Sequence, residues 1–243
     1  MTCRLYVDQE LASGSIITLP EEQGHYLRHV MRLQEGESIT LFNGQGGEFS
    51  GQIEHFSKKE SSCSVGLFVE VNRELECHIH VIQSACRSEK IDSVLQKGTE
   101  LGAASFHIVR SERSTLKLDE RKRSQRLARW QKIIIEAAEQ SGRTALPSVS
   151  WHNAIGDINS SGPAFALHPE AGDTLTSIRQ ELREARNLYL AVGPEGGWSE
   201  RDLTNLKACG FRALSFGERI MRTETAAPAM LAAIQAIRAI SEK

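Results

Sequence analysis

The chain has 243 residues, 40% of them hydrophobic and 25% charged, with 29 Lys and Arg against 31 Asp and Glu for a net charge of −2. This balance excludes a wholly disordered chain, and ordinary, unperiodic Gly and Pro exclude a collagen-like or coiled-coil rod. The longest apolar run, residues 226–234, falls well short of the ~20 residues that a spanning helix needs.

The first seventy residues read as short strands and turns. Strands are predicted at 3–7 and 15–19. A short helix is predicted at 20–31, where Pro20 suits a helix start and Glu21 and Glu22 suit the positive end of its dipole. Strands at 37–42 and 48–56 flank Asn43-Gly44-Gln45-Gly46-Gly47, a glycine-rich hairpin turn, and 62–69 is a further alternating strand. These elements predict a small, partly closed β barrel over residues 1–72, with polar residues 72–76 as the boundary.

After that boundary the rhythm changes to strand and helix in alternation. Strands are predicted at 77–84, 105–109, 164–167, 187–192 and 211–214. Helices are predicted at 89–101, 124–140, 199–208 and 225–240. In the second helix Leu127, Trp130, Ile134 and Ala137 recur at helical spacing. The pattern is that of an open, parallel α/β sheet over residues 73–243.

Charge is unevenly spread. Residues 1–72 hold 5 basic and 10 acidic side chains, a net −5, whereas residues 110–132 hold 9 basic and 3 acidic, a net +6. A basic cluster on an otherwise neutral chain suits a polyanion, and equally a solvated helix face. The five cysteines, Cys3, Cys63, Cys77, Cys86 and Cys209, are scattered and include no C-x-x-C pair. Reduced thiols in a cytoplasmic protein are expected, with neither a disulfide framework nor a zinc cluster. The N-terminus has no basic stretch leading into an apolar one, so no secretory signal is expected.

Ligands of open α/β sheets sit outside the carboxyl ends of the strands. Three such ends stand out: Leu167-His168-Pro169-Glu170, Val192-Gly193-Pro194-Glu195-Gly196-Gly197, and the run from Phe216 to Thr225. The second has more glycine than a strand-to-helix turn needs, and Ser199 with Asp202 has capping-box spacing ahead of the next helix. The third sets Arg222 and Glu224 at a helix start capped by Thr223 or Thr225, with Pro228 in the first turn. No G-x-G-x-x-G, P-loop or G-x-S-x-G signature is present, which disfavours dinucleotide binding, phosphate-loop chemistry and serine hydrolysis. His25 and His29 are spaced i, i+4 without an H-E-x-x-H, and no metal site is expected. His78 and His80 share a strand face, and His168 lies in the first loop.

At these loops the sequence resembles a known family. LHPE, VGPEGG and GERIMRTETA look like the three cofactor loops of the SPOUT methyltransferases, specifically the ribosomal RNA small-subunit methyltransferase E family. CRLYV, HYLRHVMRLQEGE, QKGTELG, SERSTLKLDERK and RWQKIIIEAAEQSGR agree, in order and through both halves of the chain. Departures are small: Phe216 and Met221 stand where leucine is frequent, and Gly98 occupies a variable helix position.

The resemblance implies a trefoil-knotted SPOUT domain behind a PUA-like β-barrel domain that helps bind RNA. It implies S-adenosyl-L-methionine as cofactor, a homodimer, and methylation of uridine N3 at position 1498 of 16S ribosomal RNA in the 30S subunit. The cofactor site would be built from Leu167, His168, Pro169, Gly193, Pro194, Glu195, Gly196, Gly197, Leu214, Phe216, Gly217, Ile220, Met221 and Arg222. RNA phosphates would meet Arg4, Arg28, Arg32, Arg110, Arg113, Lys117, Arg121, Lys122 and Arg123.

N3 of uracil carries a proton at neutral pH, so methylation there requires that proton to leave while negative charge develops on the flanking carbonyl oxygens. Arg222 is the candidate to stabilise that charge. Glu224, Glu195, the partner subunit's Glu139 and water are the candidate proton acceptors. Competing possibilities are a knotted module that grips RNA without turnover, a SPOUT methyltransferase for another RNA, and a nucleotide-dependent oxidoreductase.

Overall fold

The computed structural model describes residues 3–57 and 60–239. These described residues form two compact units, one of those up to 74 together with 138–146 and one of 75–137 together with those from 147 onward. The first unit thus takes two residues more than the compositional boundary at 72 and adds a short stretch from the middle of the chain.

The first unit carries β1 (Cys3–Tyr6), β2 (Ile16–Leu19), α1 (Glu21–His25), β3 (Ser38–Phe42), β4 (Glu48–Phe56) and β5 (Ser61–Val69). After α1 the predicted helix widens into a π turn over Tyr26–Val30 and stops at Arg32, whose φ of +58° ends helical geometry. The five strands form one sheet in the order β1-β3-β4-β5-β2. The β1–β3 pair is parallel and the rest are antiparallel. β1 and β2 end that order without pairing to each other among the described residues, so closure is partial. Alternate residues of each strand point inward and, with Leu27, bury a core of Leu5, Leu19, Ile39, Leu41, Ile53 and Val65.

The added stretch is tied in by side chains. Glu139 Oε1 accepts the Tyr6 N–H at 2.9 Å, and the Arg143 carbonyl accepts from Arg4 Nη2 at 2.9 Å. Buried Arg143 is ion-paired with Glu74, its Nε lying 2.9 Å from Oε2.

The second unit contains β6 (His78–Ser84), α2 (Ser88–Glu100), β7 (Ala103–Val109), β8 (Ser148–His152), β9 (Ala164–Leu167), β10 (Asp173–Thr174), α4 (Arg179–Glu184), β11 (Asn187–Val192), α5 (Glu200–Ala208), β12 (Arg212–Ser215) and α6 (Thr223–Ala239). Helix α3 (Glu120–Ser141) lies between β7 and β8, with Trp130 and Ile134 fully buried on its apolar stripe. All seven strands are parallel, in the order β10-β12-β9-β11-β6-β7-β8. Near-continuous apolar runs such as NLYLAV in β11 are what a sheet covered on both faces requires.

From β12, two strands removed from β11, the chain returns across the strand ends to start α6, which packs on α2 and α4. α6 starts at Thr223 rather than Thr225, so Pro228 lies beyond the first turn, where it leaves the Glu224 carbonyl without its helical partner. The predicted helix end at residue 240 lies outside the described residues. β8, β10 and α4 carry no clear sequence signal. β8 is exposed at Ser148 and half-buried over the rest, and α4 buries only Leu182.

Candidate active site

Three loops converge at the carboxyl ends of β9, β11 and β12. With Lys90 from α2 and Arg113 from the β7–α3 connection they enclose a cavity of about 620 Å³, within the size range of small-molecule sites. Every residue expected to hold a cofactor, from Leu167 to Met221 and Arg222, borders it. Val192, Trp198, Leu214 and Met221 supply apolar wall. Ile220, 83% exposed at the rim, is a large apolar side chain left open to solvent.

Each loop is held by the sheet beneath it. The 193–198 loop ends in the capping box expected from its spacing: Ser199 Oγ accepts the Asp202 N–H at 3.1 Å, and Asp202 Oδ2 accepts the Ser199 N–H at 3.2 Å. Thr223 fastens the third loop to the second. Its hydroxyl donates to the Gly193 carbonyl at 2.6 Å and accepts from buried Gln83 Nε2 at 2.9 Å.

Electrostatics centre on Lys90. Its Nζ lies 3.2 Å from Glu224 Oε2 and 3.6 Å from Glu195 Oε1, and all three side chains are largely shielded. Burial would raise the Glu224 carboxyl, but its own backbone N–H and Lys90 outweigh that and hold it below the ordinary carboxylate range. Glu224 is therefore ionised at neutral pH. Cys86, buried beside these groups, is pushed up to about 12 by burial and then by Glu195, so it is an inert thiol. Arg222 borders the cavity and is exposed.

The remaining candidates separate. Glu139 does not border the cavity, and its carboxylate is engaged by the Tyr6 N–H. Arg4, expected at a phosphate, is instead ion-paired with Glu48 and stacked over Phe42, with only 14% of its side chain exposed. Its partner lies 44 positions away, which local sequence does not reveal. Arg113 lines the cavity itself. Arg28 lies over the Phe56 ring, Lys122 pairs with Asp119, and Arg123 lies over Trp151. Arg32, Arg110, Lys117 and Arg121 are exposed. Lys90, Gln83 and Thr223 as a linking group went unrecognised in the sequence. Among the described residues no group of three or more His, Cys, Asp or Glu is placed to hold a metal, and no helix is long and apolar enough to cross a membrane.

Comparison with known proteins bears directly on this site. The model of the RNA methyltransferase domain matches residues 73–235, and that of the RNA methyltransferase PUA domain matches residues 19–65. Ribosomal RNA small subunit methyltransferase E of Bacillus subtilis is 31% identical over 235 residues, covering 93% of this chain and 92% of that protein. The chain belongs to the ribosomal RNA small subunit methyltransferase E family. The family's crystal structure from Neisseria gonorrhoeae, bound to S-adenosyl methionine, superposes with a TM-score of 0.89 at 32% identity, covering 98% of both chains. A methyltransferase from Legionella pneumophila, in complex with the same cofactor, gives a TM-score of 0.92 at 33% identity, covering 97% of this chain and 98% of that one. The fold class is accordingly the SPOUT-type α/β sheet with an N-terminal PUA-like domain, as the sequence resemblance implies.

Proposed function

We propose that the chain binds S-adenosyl-L-methionine in the cavity of its second unit and methylates N3 of the uridine at position 1498 of 16S ribosomal RNA, within the 30S subunit. It would act in the cytoplasm as a homodimer. The observation that carries this proposal is the convergence of the three expected loops on one cavity in a chain of this family.

The cavity suits such a cofactor. At Gly197 and Gly217 the backbone is left-handed, with φ of +70° and +72°, and a Cβ built at either would meet nothing within 4 Å. Open space beside a backbone bent this way is what a bound adenosyl group needs. Leu167, Leu214 and Met221 offer apolar surface to its rings. When bound, the cofactor supplies an activated methyl group on a sulfonium.

The protein's tasks are then to hold the uracil in line with that methyl group and to manage one proton. Arg222, at the cavity, donates to the uracil carbonyl oxygens as N3 loses its proton. Glu195 borders the cavity, as does Glu170, and Lys90 of the lining pairs with Glu195 and with Glu224, the residue after Thr223. Lys90 helps hold the Glu224 carboxyl below the ordinary range, which makes it a weaker base, and the proton passes to one of these carboxylates or to water. Lys117, Arg121 and the neighbouring basic residues meet phosphates.

The deciding experiment is transfer of labelled methyl groups from S-adenosyl-L-methionine to 30S subunits lacking this modification, with nucleoside analysis. Labelled 3-methyluridine at a single 16S site is expected. Cofactor binding without transfer would instead indicate a binding module or another RNA. Full turnover by Arg222→Ala would remove Arg222 from its role.

A further inference from the structure

The basic segment 110–123 and the glycine loop 193–198 are not independent. Arg113 Nη1 donates to the Gly196 carbonyl at 2.8 Å and to the Trp198 carbonyl at 3.4 Å. A Cβ built on Gly196 would lie 3.5 Å from Arg113 Cδ, so the stem of the arginine packs along the loop as well. One residue earlier, the Glu112 N–H donates to the Asp202 carboxylate, 3.2 Å from Oδ1 and 3.3 Å from Oδ2. Asp202 is 5% exposed and is the residue that caps α5 through Ser199. Two adjacent residues of the segment are therefore fastened to the loop's second half and to the first turn of the helix that follows it. The segment's root is fixed in turn by a 2.5 Å hydrogen bond between Ser84 and Ser111 and by the Thr115 N–H on the Ala85 carbonyl.

Arg113 uses only one of its nitrogens on the loop. Nε and Nη2 have no partner among the described residues, and the residue is exposed. A guanidinium is a rigid fork whose N–H groups can serve two acceptors at once. One edge of this fork is committed to cofactor-loop carbonyls, the other is unengaged among the described residues, and Arg113 belongs to a segment with net charge +6 over residues 110–132.

We propose that Arg113 is a positioning residue that couples RNA engagement to the cofactor loop, rather than a simple phosphate contact. A phosphate on its free edge fixes the side chain, and the fixed side chain holds Gly196 and Trp198 in place. By linkage, cofactor binding and RNA binding then strengthen each other by the same factor. This inference rests on the cavity being the cofactor site.

Arg113→Lys separates the two roles, because lysine keeps the charge and loses the fork. Three readouts are compared with the unaltered chain. These are hydrogen exchange over 193–199 in ligand-free protein, affinity for S-adenosylhomocysteine with and without unmodified 30S subunits, and the salt dependence of subunit binding. Subunits should tighten S-adenosylhomocysteine binding to the unaltered chain by at least about fivefold. Arg113→Lys should speed loop exchange and abolish that tightening while leaving the salt slope unchanged. If Arg113→Lys matched the unaltered chain in exchange and tightening, and Arg113→Ala only reduced the slope by about 0.9, Arg113 would be a plain phosphate contact and the coupling refuted. Failure of the unaltered chain to bind S-adenosylhomocysteine would sink the cofactor reading and the coupling with it. Exchange in the ligand-free protein would then still report whether Arg113 clamps the loop.

Discussion

Gln83 and Thr223 lie 140 positions apart and are joined by a 2.9 Å hydrogen bond inside the protein. Gln83 belongs to β6, and Thr223 begins the helix that returns from β12. The same threonine hydroxyl donates to the Gly193 carbonyl, so one oxygen ties the strand, the glycine loop and the last helix together. Thr223→Val preserves the shape and removes the hydroxyl, leaving a buried amide N–H and a carbonyl without their partner. A loss of about 1–3 kcal/mol is expected by urea unfolding, along with weaker S-adenosyl-L-methionine binding. Thr223→Ser should retain most of both.

Lys90 stands between two carboxylates, 3.2 Å from Glu224 and 3.6 Å from Glu195. Its ammonium helps hold the Glu224 carboxyl below the ordinary range, against burial. Lys90→Gln removes that charge and leaves two carboxylates facing each other, so the Glu224 carboxyl should rise. The acid limb of the pH dependence of methyl transfer should move to higher pH, and Lys90→Arg should restore it. An acid limb that stayed in place in Lys90→Gln would mean that Glu224 does not set it.

Much of this site was legible in the sequence because its chemistry lies in contiguous loops. Glycine and proline density at 193–197, and polar runs placed after apolar strands, marked the places where backbone approaches a ligand. Single residues whose role depends on distant partners were not legible. Lys90 is one lysine on an amphipathic helix until α6 brings Glu224 beside it. Arg4 has the appearance of a surface cation until folding sets Glu48 against it and Phe42 beneath it. The fold followed the same division. Long apolar strands and the α3 stripe announced themselves, whereas α4 buries a single leucine and has no apolar period to detect. The π turn at Tyr26–Val30 shares the composition of an ordinary helix, and only the tertiary structure selects it.

Gly197 and Gly196 are neighbours that should respond differently to the same substitution. Gly197 has φ +70°, and a Cβ there meets no atom, so alanine imposes backbone strain and no clash. That strain costs about 1–2 kcal/mol, and the loop relieves it by leaving the conformation that shapes the cavity. At Gly196 the backbone is outside the left-handed region and the added Cβ makes ordinary contact with Arg113. Calorimetry with S-adenosyl-L-methionine should show a clear loss for Gly197→Ala and a small one for Gly196→Ala. Equal effects would mean that loop conformation is not what the cofactor reads.

A hydrogen-bonded file of side chains crosses the sheet away from the cavity loops and predicts how stability follows pH. His80 Nδ1 lies 2.7 Å from Ser105 Oγ, Ser105 Oγ 2.9 Å from His107 Nε2, and His107 Nδ1 3.0 Å from His152 Nε2. Such a contact between two rings needs one N–H and one lone pair, so His107 and His152 cannot both be protonated while it holds. Burial first, then the neighbouring His152 and His80, lowers His107 from its ordinary 6.5 to about 4. Burial also lowers His80 and His152, while Asn187 opposes the shift of His80 and Asp157 that of His152. Between pH 6.5 and about 4 the unfolded chain takes up a proton that folded His107 refuses. Stability is therefore fully present above pH 6.5 and is lost as pH falls through this window. For His107 alone the loss is on the order of 3 kcal/mol. Urea midpoints measured from pH 7 to 4 should fall steeply for the unaltered chain and less steeply for His107→Gln. Parallel curves would show that the file carries no pH dependence and that acid sensitivity arises elsewhere.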